Sequence, residues 1–127
     1  MKVSDLHQHQ LYTAQVEETL EDAADRMNWH QVGALPVFEG QRLVGIITER
    51  DLTAALAEGA DPTTTPVSEY MTPAPEVLQP DSDIADAAQV MLQLGVRHLP
   101  IVRGNRLVGV LSMRDVLDAD SCRAERT

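Results

Sequence analysis

The chain has 127 residues, 43% of them hydrophobic, with seven glycines, seven prolines and a formal net charge of −10. That is about one domain's length and an ordinary globular composition, and the acidic balance excludes a nonspecific electrostatic grip on DNA, RNA or anionic lipid, which draws on clustered Lys and Arg. The single cysteine, Cys122, excludes an intramolecular disulfide and fits a reducing compartment.

The N-terminal stretch MKVSDLHQHQ has no apolar segment of the secretory kind, and no part of the chain approaches the roughly 18 apolar residues of a membrane span. A soluble, cytoplasmic protein is expected, with no nucleic-acid or membrane partner. His7 and His9 would need further ligands to hold a metal, and two histidines near a chain end read as solvated, so no metal is expected.

Next, LYTAQV reads as a short strand. Leu20, Ala23, Ala24 and Met27 fall at i, i+3, i+4 and i+7, the apolar stripe of an amphipathic helix. Glu17, Glu18, Glu21 and Asp22 crowd its start, where the helix dipole favours negative charge. The pattern predicts a helix over 19–30. Within it Trp29 lacks aromatic neighbours that would make a nucleic-acid stacking platform, and it reads as a partly buried packing or interface residue.

ALPVF and RLVGIIT follow, a hairpin with Gly40 of EGQ in its turn. A second helix is predicted over 49–58. EGADPTTTP, Glu58 to Pro66, has linker composition. Everything then recurs at a constant step of 64 residues, without a gap: Val3-Ser4 as Val67-Ser68, Asp22-Ala23-Ala24 as Asp86-Ala87-Ala88, Met27 as Met91, Leu35-Pro36 as Leu99-Pro100, Arg42-Leu43-Val44-Gly45 as Arg106-Leu107-Val108-Gly109, and Arg50-Asp51 as Arg114-Asp115. In the second copy the helices fall at 83–94 and 113–120, the strands at 98–102 and 106–112, and PEVLQP supplies the short leading strand.

The expected architecture is therefore mixed α/β: two β-α-β-β-α repeats, residues 1–60 and 67–122, joined by a linker at 61–66 and followed by a flexible tail at 123–127. A unit of about 55 residues buries too little surface to be comfortable alone, so the repeats are expected to pack sheet to sheet about a pseudo-two-fold axis. One difference between the copies stands out: Arg26, Asn28 and His30 become Val90, Leu92 and Leu94. A helix apolar nearly all round is covered on more than one side, either deeper in its own core or by a second copy in a homodimer.

Thr48-Glu49-Arg50-Asp51 and Ser112-Met113-Arg114-Asp115 each stand where a strand gives way to a helix. A hydroxyl at the N-cap and an acid three residues later is a capping box, which satisfies the first free N–H groups of a helix. The same geometry suits a ribonucleotide: N–H groups and hydroxyl for a phosphate, a carboxylate for the ribose cis-diol, and Arg50 or Arg114 for phosphate charge. Pro36 and Pro100 inside strands mark an edge whose backbone could meet the adenine edge, with Leu35, Val37, Leu99 and Ile101 covering the base. Gly45 and Gly109 allow close backbone approach or serve helix packing.

GALPVFEGQRLVGIITERDL and GVRHLPIVRGNRLVGVLSMRDV, led by TLEDAADRM and DIADAAQVM, resemble the two copies of a CBS-domain pair, and VSEYMTPAPEVLQPDSDI resembles the family's lead-in. The likeness spans about 3–56 and 67–120; the first copy departs from it by lacking Met-Thr-Pro in its lead-in. The resemblance implies a regulatory module rather than an enzyme, one that commonly dimerises and binds AMP, ADP, ATP or S-adenosylmethionine in clefts between copies. It implies that Asp51 and Asp115 hold ribose hydroxyls, that Thr48 and Ser112 stand beside ribose and phosphate, that Arg50 and Arg114 face phosphates, and that Ala34, Leu35 and Pro36, like His98, Leu99 and Pro100, line the base slots. Arg97 and His98 replace Gly33 and Ala34, so the more phosphorylated ligand is expected at the Ser112 and Asp115 site.

Catalysis is not expected: no nucleophile stands beside a base, and no P-loop or dinucleotide fingerprint is present. The stronger rival is a ligand-free dimerisation or protein-interaction module. With no catalytic, channel or DNA-binding segment in the sequence, the regulated target is expected to be a separate protein.

Overall fold

The computed structural model describes residues 1–5 and 11–126, with side chains as far as residue 119. The elements are β1 (Ala14–Gln15), α1 (Leu20–His30), β2 (Ala34–Glu39), β3 (Arg42–Thr48), α2 (Glu49–Ala57), β4 (Thr72–Pro73), α3 (Ile84–Leu94), β5 (His98–Arg103), β6 (Arg106–Ser112) and α4 (Met113–Arg126), with 3₁₀ turns at Val3–Asp5 and Val67–Glu69. The mixed α/β class is as read from the sequence, and so is the helix-strand-strand-helix order within each repeat. Among the described residues no helix is long and apolar enough to cross a membrane.

Two compact units form, and they do not follow the repeats: one comprises Tyr12–Pro75, the other Met1–Leu11 and Glu76–Thr127. Each unit takes the lead-in of the other repeat. In the Tyr12–Pro75 unit the Val67 N–H donates to the Glu18 carbonyl (2.7 Å) and the Leu20 N–H to the Thr65 carbonyl (3.0 Å). In the other, the Val3 N–H donates to Ser82 (2.8 Å) and the Ile84 N–H to Met1 (3.0 Å). These are the same bonds shifted by one repeat.

The cores correspond position by position. Leu20, Ala23, Met27, Leu35, Val37 and Ile47 form one with Val67; Ile84, Ala87, Met91, Leu99, Ile101 and Leu111 form the other with Val3. The helical stripe and the period-two strand positions both point inward, and each large aliphatic side chain so buried contributes about 1.5–3 kcal/mol.

The hairpins match as well, with the same ladder and a bulge at Val37/Phe38 and at Ile101/Val102. Gly40 and Gly104 take φ of +64° and +63° as the first residue of a two-residue turn, where a left-handed backbone favours glycine. β1 runs parallel to β2, and β4 pairs antiparallel with β3, giving the order β1-β2-β3-β4. β4 was not read from the sequence, and PEVLQP makes only a single bridge, Leu78 with Ile101, rather than a strand. Gly45 has its explanation here: a Cβ on it would lie 2.9 Å from the Thr72 carbonyl and 2.5 Å from the Met71 sulfur, so it admits β4 rather than a helix.

One further expectation is corrected, and one of two open alternatives is decided against. α4 continues to Arg126, through most of the segment read as a tail, because the second copy has Arg123 where Gly59, at φ +81°, follows α2. The apolar flank of α3 is not deeper core: Val90 is half-buried, but Leu92 and Leu94 are 75% and 50% exposed.

Candidate functional site

Each unit brings one hydroxyl-x-x-Asp segment against the start of the first strand of its hairpin, β2 or β5. The hairpin register sets Ala34 opposite Thr48 and His98 opposite Ser112. The join is tightened by the first helical N–H: Glu49 donates to the Gly33 carbonyl (3.1 Å) and Met113 to the Arg97 carbonyl (2.8 Å). Helix N-terminus and strand end thus share one corner in both units.

Both segments are capping boxes. The Thr48 N–H donates to Asp51 Oδ2 (2.9 Å), the Asp51 N–H to Thr48 Oγ1 (3.3 Å), and the Thr48 hydroxyl donates to Oδ2 as well (3.0 Å). The Ser112 N–H donates to Asp115 Oδ2 and the Asp115 N–H to Ser112 Oγ, each at 3.1 Å. Capping uses only Oδ2 of each carboxylate. Among the described residues Oδ1 of Asp51 and Asp115 and the backbone N–H groups of Arg50 and Arg114 have no partner, and the side chains of Arg50, Arg97 and Arg114 enter no hydrogen bond or ion pair. A carboxylate oxygen, an N–H at a helix start and an exposed guanidinium therefore coexist with the cap at each corner.

The prolines show which side of the strand is open. The Pro100 carbonyl accepts from Leu78 N–H (2.8 Å), on the side of β5 away from β6. Backbone groups alternate sides along a strand, so those of His98 face that outer edge, as do those of Ala34 in the matching hairpin. The N–H that proline lacks would point the same way, and the hairpin ladder loses nothing. β1 pairs only with Val37 and Phe38, so among the described residues no strand pairs with the Ala34 end, although Ala34 itself is buried.

The expected slot lining needs one correction. Leu35, Val37, Leu99 and Ile101 are 0–2% exposed and belong to the two cores, so their side chains cannot cover the faces of a base. Strand alternation sends them to the helix side, whereas Ala34 and His98 project to the other. Pro36 and Pro100 are themselves fully buried. The free backbone N–H groups expected at the two helix starts are those of Arg50 and Arg114.

The corners differ in charge. Glu49 opens α2, and beside Asp51 lies a depression lined by Asp51, Ala54, Glu58, Glu69 and Tyr70. The Glu58 carboxylate beside Tyr70 holds its phenol above the usual range. At the second corner the matching residue is Met113, with Arg97 and His98 preceding. Away from both corners, Arg26 grips Glu18 through two bonds (2.8 and 2.9 Å) and the Thr13 carbonyl (2.8 Å), and this guanidinium pulls the Glu18 carboxyl below its ordinary range. Tyr12 stacks on His30 with ring centroids 3.6 Å apart. Among the described residues no cluster of His, Cys, Asp and Glu could hold a metal, and His7 and His9 lie outside them.

Comparison with known proteins gives a consistent result. The CBS domain model matches twice, over residues 3–58 and 67–121. The CBS domain-containing protein YhcV of Bacillus subtilis is 39% identical over 115 residues, 90% of this chain and 81% of that one, and an uncharacterised 17.7 kDa protein of Acidianus ambivalens is 40% identical over 120 residues, 93% and 72% of the two chains. Among solved structures, the CBS domain pair of protein MJ0100 in complex with 5′-methylthioadenosine and S-adenosyl-L-methionine has a TM-score of 0.89 at 26% identity, covering 97% of this chain and 98% of that one. CBSX2 in complex with AMP has a TM-score of 0.80 at 26% identity, with the same coverage. With two in-register matches that account for nearly all its residues, the chain belongs to the CBS-domain family as a tandem pair.

Proposed function

We propose that the chain is a regulatory sensor of adenosyl compounds, AMP, ADP, ATP or S-adenosylmethionine, which it binds without transforming, and that it signals to a separate protein. The observation that carries this reading is the duplicated corner in which one carboxylate oxygen caps the helix and the other is left open at the junction of strand and helix. Asp51 and Asp115 accept from the ribose hydroxyls through Oδ1. The hydroxyls of Thr48 and Ser112 and the N–H groups of Arg50 and Arg114 meet phosphate oxygens, aided by helix dipole and guanidinium. Backbone at Ala34 and His98 meets the adenine edge. Support comes from the ligands in the MJ0100 and CBSX2 structures. The test is a thermal-shift screen with millimolar AMP, ADP, ATP and S-adenosylmethionine: a ligand at about 100 times its Kd adds roughly 2.7 kcal/mol to the folded state. No shift with any of them overturns the reading in favour of a ligand-free interaction module.

A homodimer built on α3 forms part of the proposal, favoured by the exposure of Leu92 and Leu94. Sedimentation should show a dimer at tens of micromolar and a monomer for the Leu92→Glu/Leu94→Glu double variant, because two carboxylates would have to be desolvated in the contact. A native chain that is monomeric under these conditions contradicts it.

A further inference from the structure

We infer that Arg26 is a positioning residue for the adenosyl ligand: it grips the lead-in of the first repeat from outside and so sets the strand that lies beside the edge at residues 34–36. The inference rests on the proposed binding of adenosyl compounds and names a residue that governs it without touching the ligand.

The lead-in runs parallel to β2, with Ala14 opposite Val37 and Gln15 opposite Phe38, and the ladder ends there. The next step toward the chain start would need an N–H on Pro36, which proline lacks. The second repeat shows the same limit: Leu78, the counterpart of Ala14, donates to the Pro100 carbonyl (2.8 Å) and accepts from the Val102 N–H (2.8 Å). Ahead of β1 the strand ladder therefore does not fix how residues 11–13 lie against the 34–36 edge, and side chains decide it.

Those side chains come from α1 and its approach. Arg26 Nη1 donates to the Thr13 carbonyl (2.8 Å), and the guanidinium closes on Glu18 through both nitrogens (2.9 and 2.8 Å). Glu18 Oε1 in turn accepts from the Gln15 N–H (2.8 Å). One turn along α1, His30 stacks on Tyr12 with ring centroids 3.6 Å apart. The Val16 N–H donates to the Phe38 carbonyl (3.0 Å), so by alternation Ala14 and Val16 face β2 while the Thr13 carbonyl and Gln15 N–H face away. The grip is on the outer side of the lead-in, where it does not compete with a ligand for the 34–36 edge.

The repeat supplies an internal comparison. One repeat later Glu18, Arg26 and His30 are Ser82, Val90 and Leu94. Ser82 accepts from the Gln79 N–H (3.1 Å) as Glu18 does from Gln15, but Val90 has no donor for the carbonyl of Val77, and that lead-in makes one bridge instead of a strand. The first repeat's edge is thus preorganised by a clamp that the second lacks, and preorganisation removes an ordering cost from binding. Trp29, beside His30, adds nothing to the grip: at 83% exposure it is not the partly buried residue that the sequence suggested.

The test is calorimetric titration of the full chain, separately with AMP, ADP, ATP and S-adenosylmethionine. Glu18→Ser/Arg26→Val gives the first repeat the residues that stand in the folded second unit, so this variant is expected to fold. One binding step should weaken about tenfold in it while any other stays within about twofold. Arg26→Lys keeps a donor for the Thr13 carbonyl and should restore most of the affinity. Glu18→Arg/Arg26→Glu re-forms an ion pair but can neither donate to that carbonyl nor accept from the Gln15 N–H. It should melt above Arg26→Val and still show the weakened step, which separates positioning from stability. Unchanged affinity in Glu18→Ser/Arg26→Val, equal weakening of two steps, or full recovery in the charge-swapped variant overturns the inference. A native chain that binds none of the four compounds overturns the sensor reading and this inference with it, so titration of the native chain tells the two failures apart.

Discussion

Substitution of Val67 by aspartate is expected to unfold the unit that contains most of the first repeat, although Val67 stands at the head of the second. Val67 is 0% exposed, packed with Leu20, Met27, Leu35 and Ile47, and its N–H is bonded to the Glu18 carbonyl at 2.7 Å. An unpaired carboxylate there has no partner to offset its desolvation, at a cost of roughly 4 kcal/mol. A unit of 64 residues, Tyr12–Pro75, has little margin to absorb this. Hydrogen exchange locates the effect: α1 and the β2–β3 hairpin should lose protection while α3 and the β5–β6 hairpin keep more of theirs, and Val3→Asp should produce the mirror image. Loss confined to the β5–β6 hairpin in Val67→Asp would show that each lead-in serves its own repeat.

Replacement of Asp115 by alanine is expected to weaken binding of phosphorylated adenosine ligands by about 10- to 100-fold, corresponding to roughly 1.5–3 kcal/mol for hydrogen bonds to a charged group. Asp51→Ala should cost less for the same ligands. Arg97, His98 and Arg114 surround the second corner, whereas Glu49, Glu58 and Glu69 stand near the first. Both substitutions also remove a capping partner, at about 1 kcal/mol of stability each, so melting of the ligand-free variants is measured beside calorimetry. Asp→Asn at either position restores an acceptor for the cap without the charge, which separates the two roles. A larger loss from Asp51→Ala contradicts the assignment of phosphorylated ligands, and unchanged affinity in both variants leaves Asp51 and Asp115 as caps only.

Much of this molecule is written locally. The step of 64 residues, the stripe of Leu20, Ala23 and Met27, the Gly40 and Gly104 turns, and the Ser/Thr-x-x-Asp helix starts each follow from short-range periodicity or turn chemistry, and each appears in the structure where expected. The family also follows from them, because two in-register copies leave little room for chance. Local pattern was less informative where an end signal was missing: α4 runs on past the expected stop because no Gly or Pro follows it.

By itself, then, the sequence determined the repeated unit, its helices and hairpins, and the residue types at both corners. Tertiary structure alone decided that the lead-ins are exchanged, that Gly45 makes room for β4, that Leu35 and Leu99 face the core rather than a slot, and that Trp29, Leu92 and Leu94 stand in solvent. It also decided that each capping carboxylate keeps one oxygen open. The physical reason is common to all five. Periodicity records that a face is apolar or that a group can hydrogen-bond, and only the packing of segments distant in the chain determines what covers that face or takes that bond.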